Sequence, residues 1–216
     1  GVPGGDGFGL VTVDTNGLIK LTGSKLADGQ GFAQTVRVSP SGEWPLYSRA
    51  DSAGTGQFNS FIMGWLTVNT NTGISGDVTW LKQGGAAMYP GMGLETTVEG
   101  SPYFASDPLA TRVLPWTNGL VTYEGAGIAA GVMSNSVTLL TTSGKNKFTT
   151  DKVNKMTLRL LPKNGKLTPN FGNPSDGNQK AKGEGAILLN QDGGSGYYLP
   201  AGNMQSGLFK LEKETP

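Results

Sequence analysis

Short runs in which apolar and polar residues alternate, each cut off by a glycine beside Asn, Asp or Ser, recur along almost the whole chain. Alternation of this kind is the period of a pleated strand, whose successive side chains point to opposite faces. No window carries the 3.6-residue repeat of a long helix. Residues 8–14 and 18–22 flank Asn16-Gly17, the strongest short-range hairpin signal, with Val11 and Val13 on one face and Ile19 and Leu21 on the facing one. Further strands are predicted over 33–39, 43–48, 57–68, 75–82, 119–124, 136–142, 155–161, 166–171, 184–190, 195–199 and 206–212. Connections such as Ser41-Gly42, Asn71-Thr72-Gly73, Asn164-Gly165 and Asp192-Gly193-Gly194 supply residues that tolerate positive φ. The expected fold class is all-β, built of small antiparallel barrel-like or sandwich-like lobes.

Composition agrees with that rhythm. The 216 residues include 35 Gly and 12 Pro but only 15% charged residues, against about 25% in an ordinary soluble domain. Turn formers stand where charge would be, as expected for many short strands rather than for disorder. The chain has no His and no Cys. That removes Ser-His-Asp and Cys-His nucleophile pairs, disulfides, and the usual zinc, haem, copper and iron–sulfur sites. A net charge of +1 gives no field to gather phosphates or anionic lipid, so neither nucleic acid nor membrane is an expected partner. No run reaches the length of a membrane span. The densest basic stretch, Lys145, Lys147, Lys152 and Lys155, reads as a solvated loop.

The two ends echo each other. Near the start, V-T-V-D-T-N-G-L-I-K-L-T-G is followed by T-V-R-V-S-P-S-G-E-W-P-L-Y and F-I-M-G-W-L-T-V. Near the end, L-R-L-L-P-K-N-G-K-L-T-P-N-F-G is followed by G-A-I-L-L-N-Q-D-G-G-S-G-Y-Y-L-P and S-G-L-F-K-L. Both run hairpin, loop, strand, glycine turn, aromatic strand, strand, which suggests an internal duplication. Pro90, Pro102, Pro108 and Pro115 interrupt residues 89–115, so the lobe boundary is expected there, dividing the chain into 1–104 and 105–216. Expected core positions are Val11, Val13, Ile19, Leu21, Val36, Val38, Ile62, Trp65, Val78 and Trp80.

The succession L-A-D-G (26–29), V-S-P-S-G-E-W-P-L-Y (38–47), F-I-M-G-W-L (61–66), G-D-V-T-W-L-K (76–82) and the closing G-S-G-Y-Y-L with S-G-L-F-K-L resembles a two-lobed β module of large secreted or surface-anchored bacterial proteins. Such modules often stand beside immunoglobulin-like repeats. The resemblance implies an extracellular, non-catalytic module. The opening Gly1-Val2-Pro3-Gly4-Gly5 reads as a mature or excised terminus.

Among residues able to carry chemistry, aromatic rings come first, because sugars stack their C–H faces on them. Trp44, Tyr47 and Trp116, each close to a proline, are the expected glycan platform, with Trp65 and Trp80 assigned to the core. Asp28, Glu43, Asp51 and Asp77 invite a carboxylate-only glycosidase or lyase, which needs only two converging acids. Gly5-Asp6-Gly7-Phe8-Gly9 precedes a strand where a phosphate loop would precede a helix, so that reading is rejected. Asp14-Thr15-Asn16-Gly17 and Ser175-Asp176-Gly177-Asn178 are oxygen-rich turns that lack the EF-hand pattern; a structural calcium ion is the one metal they would suit, and no other cofactor is expected. Lysines near Asn or Asp could form intramolecular isopeptide crosslinks, though sequence cannot pair them.

The first expectation is a non-enzymatic structural or adhesive module at the bacterial cell surface, associating with itself or with other surface-protein domains. The alternative is a carbohydrate-binding module; a glycosidase or lyase comes third.

Overall fold

A computed structural model describes residues 1–50, 60–84, 86–104, 112–142, 145–202 and 205–214. The fold is all-β and antiparallel. The chain divides into two compact units, one formed by Gly1–Val2 with Gly9–Pro102, the other by Pro3–Phe8 with Tyr103–Pro216.

In the first unit β1 (Phe8–Val13), β2 (Leu18–Lys25) and β3 (Gly31–Arg37) form one sheet in that order, and β4 (Glu43–Arg49), β5 (Ser60–Asn69), β6 (Gly73–Lys82) and β7 (Gly93–Gly100) form another. The Asn-Gly hairpin forms as its sequence predicts. Gly17 adopts φ 71°, and the Asp14 carboxylate accepts the N–H groups of Asn16 at 2.8 Å and Leu18 at 3.0 Å. The ladder breaks between β3 and β4, where side chains take over: Ser48 Oγ accepts Ala33 N–H at 3.1 Å and donates to Ala33 O at 2.8 Å. Trp44 Nε1 donates to Gln34 Oε1 at 2.8 Å, and Gln34 Nε2 donates to Pro45 O at 3.0 Å. Ile19, Leu21, Trp44, Leu46, Ile62, Leu66, Val78 and Trp80 fill the core.

In the second unit eight strands run in the order β10-β9-β8-β15-β14-β13-β12-β11 and nearly close a barrel. They are β8 (Asn118–Gly125), β9 (Ile128–Thr142), β10 (Lys145–Thr150), β11 (Thr157–Leu161), β12 (Lys166–Asn173), β13 (Gln179–Leu188), β14 (Gly193–Leu199) and β15 (Gly207–Lys213). The seam lies between β10 and β11, where Thr150 Oγ1 donates to Met156 O at 2.8 Å. Inside, the Tyr123, Phe171 and Tyr198 rings pack with centroids 4.1 to 5.9 Å apart, two of the three pairs edge to face. Gly185 and Gly196 face each other across β13 and β14. A Cβ at either would collide with a backbone carbonyl of the facing strand, Ser195 O or Glu184 O, and come within 2.7 Å of the Phe209 ring, so the pair is glycine to let backbone and ring pack closely.

Three expectations are corrected by the strands as they form. Trp65 is not in the core: Ile62 and Leu66 point inward on β5, so Trp65 shares the outer face with Phe61 and Met63. Val13 is exposed and Val11 only half-buried, because β1 is the terminal strand of its sheet. Lys145 and Lys147 stand on a strand, β10, alternating with inward Asn146 and Phe148, while Lys152 and Lys155 occupy the following turn. The predicted strand over 57–68 begins at Ser60, and 57–59 lie outside the described residues. Each half of the sequence echo does contain its hairpin, yet β11 to β15 run as one continuous meander whereas β3 and β4 belong to different sheets. The topology does not show a duplication.

Candidate functional site

The alternation of β4 and β5 builds the most distinctive surface of the first unit. On β4, Trp44, Leu46 and Ser48 point inward, leaving Glu43, Pro45, Tyr47 and Arg49 outside. Register then sets the outer face in cross-strand rows: Pro45–Trp65–Asp77–Thr97, Tyr47–Met63–Thr79–Glu95 and Arg49–Phe61–Leu81–Gly93. Trp65 is 68% exposed and Tyr47 57%, with Met63 also exposed. The Tyr47 and Phe61 rings lie 6.4 Å apart at 43°. From Trp65 to Phe61 the apolar stripe runs about 13 Å at ~3.3 Å per residue, the reach of a short run of pyranose rings. Beside it, on β6 and β7, stand Asp77, Thr79, Glu95 and Thr97, a border of hydrogen-bond acceptors and hydroxyls.

The expected platform is thus only partly where the sequence put it. Tyr47 presents its ring to solvent. Trp44 does not: it is 1% exposed and tied to Gln34, because it shares the parity of Leu46. Trp116 is 4% exposed, donates from Nε1 to Asp192 O at 2.6 Å and packs 6.2 Å from Phe148. Gly119 makes room for that indole, since a Cβ there would sit 2.6 Å from Trp116 Cζ3. The ring that sequence reasoning missed is Trp65. Its signal was present, because 62 and 65 differ in parity and cannot both face inward along an unbulged strand.

The candidate acids are dispersed. Asp28 is buried against Lys82. Glu43 and Asp77 lie on β4 and β6, separated by β5 and offset by two residues along the strands of an open sheet face, about 12 Å apart from two ladder spacings and two residue rises. Asp51 lies outside the described residues. Asp14 spends its carboxylate on its own turn: the N–H of Leu18, then that of Asn16, holds it below the usual carboxylate range, with the charges of Lys20 and Arg37 adding to this. Asp176 accepts Gln179 Nε2 at 3.4 Å beside the second oxygen-rich turn. No group of three or more Asp or Glu close enough to hold a metal ion occurs among the described residues. In the second unit Tyr123 is driven well above the ordinary phenol range by burial, then by the charge of Asp151, so it stays protonated at neutral pH. The Gly5–Gly9 segment leads into β1 rather than a helix, and no helix among the described residues is long and apolar enough to cross a membrane.

Comparison of the chain with known families, with curated proteins and with solved structures finds no match. Any functional reading therefore starts from the exposed aromatic face.

Proposed function

We propose that the protein is a non-catalytic, extracellular adhesive module of a larger surface protein, and that the outer face of β4 to β7 binds extended neutral polysaccharide. The observation that carries this is Trp65, 68% exposed on β5, a central strand of its sheet, with Tyr47, Met63 and Phe61 alongside. Large apolar rings gathered on a surface contribute little to folding and mark a binding patch. Rings offer the stacking half of sugar recognition, and the threonines and carboxylates on β6 and β7 offer partners for hydroxyl groups. Glu43, Asp77, Glu95 and Glu99 against Arg49 make the face acidic, which disfavours polyanionic glycans. The absence of His and Cys and the dispersal of the acids support binding without turnover.

Retention on insoluble cellulose and chitin, and retardation in gels containing soluble neutral glucans, test the reading. Trp65→Ala and Tyr47→Ala should each weaken retention by about tenfold, equivalent to ~1.4 kcal/mol. Retention of both variants equal to that of the parent chain, or no retention of the parent chain on any neutral glycan, would refute it. Trp65 is also exposed where the other three indoles are buried, so ligand should shift its fluorescence.

Self-association through strand edges is the second reading, favoured by β7, which ends its sheet. Glu95 and Glu99 on that strand are the charges that guard an edge against pairing, so the glycan face is preferred.

A further inference from the structure

Lys82 closes β6 and Asp28 sits in the turn between β2 and β3, 54 residues apart in sequence, yet their side chains form an ion pair in which each is 1% exposed. The pair is packed among aromatic rings: Lys82 Nζ lies 5.6 Å from the Trp80 ring centroid and 6.0 Å from that of Tyr89. Asp28 is oriented by its own turn, with Oδ1 accepting the Gln30 N–H at 2.9 Å and Oδ2 meeting Lys82 Nζ. Removing two full charges from water is costly, so the pair depends on its fixed geometry and on the hydrogen bonds around it. An amine held against a carboxyl group in a fixed orientation, with water excluded, is also the arrangement from which an amide forms.

We propose that Lys82 Nζ and Asp28 Cγ become joined by an intramolecular isopeptide bond. The ammonium passes one proton to Oδ2 through their existing hydrogen bond. The freed lone pair attacks Cγ, and the negative charge that develops on Oδ1 is received by the Gln30 N–H. A second proton moves from Nζ to Oδ2, the Cγ–Oδ2 bond breaks, and water leaves. One ammonium and one carboxylate are consumed, one neutral amide and one water are produced, and no oxidant, metal or cofactor takes part. Two buried charges disappear from the core, which favours the product. The bond would tie the β1–β3 sheet to the β4–β7 sheet covalently in a chain with no cysteine for a disulfide.

The test is the intact mass of the purified chain after denaturation. A mass lower than the sequence mass by one water is expected, together with a branched proteolytic peptide joining the segment of Asp28 to that of Lys82. Asp28 is followed by Gly29, and Asp-Gly can lose the same water by closing a succinimide, so two variants separate the products. Lys82→Met and Asp28→Ala should both recover the full sequence mass. A parent chain of full mass after prolonged incubation overturns the proposal. So does a water loss that persists in Lys82→Met, which would place it in a succinimide at Asp28 or at one of the other Asp-Gly steps, Asp6-Gly7, Asp176-Gly177 or Asp192-Gly193. The parent measurement needs no variant to fold, and none of these readouts depends on glycan binding.

Discussion

Trp65 and Trp44 lie on neighbouring strands and face opposite ways, so replacing them separates binding from stability. Trp65→Ala removes an exposed ring and should change unfolding free energy by no more than about 0.5 kcal/mol, the range of ordinary surface substitutions. Trp44→Ala empties a core site and strips Gln34 Oε1 of its donor. It should cost about 3 to 5 kcal/mol in chemical denaturation. Asp14 makes a prediction in pH. Its hydrogen bonds from Leu18 and Asn16 lower its pKa in the folded hairpin, so their support is present above the ordinary carboxylate range and is lost as pH falls through the lowered value. Measured against the rate of an unstructured chain at the same pH, protection of the Leu18 and Asn16 amides should fall as pH drops through that lowered value, and Asp14→Ala should remove the transition. This turn was legible in the sequence because Asx and Asn-Gly chemistry is local. The facing of the tryptophans needed the parity of whole strands, and proximity to proline misplaced Trp44 and Trp116 on the surface.

Strands with clear alternation or flanking turn signals declared themselves, while β7 and β10 did not. β7 presents only Leu94 and Val98 as partly buried apolar residues and lies in a stretch expected to be a linker. β10 offers Phe148 between two lysines, so its charge hid its alternation. The break between β3 and β4 had no sequence signature, because it depends on which strands find each other rather than on either strand alone. At that break Ser48 supplies both a donor and an acceptor to Ala33. Ser48→Ala would leave that backbone pair unsatisfied and should destabilise the first unit by about 1 to 3 kcal/mol, read from the urea midpoint. Ser48→Thr keeps the hydroxyl and should recover part of the loss.

With a net charge of +1 and a proposed binding face whose own charge is negative, the protein has no field with which to draw a ligand in. Contact through ring stacking should therefore resist salt: retention on neutral glycan should change by less than about twofold between low and molar ionic strength, although the Debye length shrinks severalfold. Heparin-like polymers should not be retained at either. Elimination from composition was strong at this scale because missing residue types remove chemistries outright, while the Asp28–Lys82 pairing needed the fold to bring together groups from two sheets. The barrel order of the second unit carries one more consequence. β8 begins the barrel, yet it lies beside β15, the last strand of that unit in sequence, with β15 wedged between β8 and β14. That ladder spans almost the whole length of the unit and must bear the largest loop-closure entropy, so β11 to β14 should zip first and β15 should engage last. Until it does, two strand edges are bare at once, and β15 acts as the clasp whose arrival decides between a finished barrel and an aggregate.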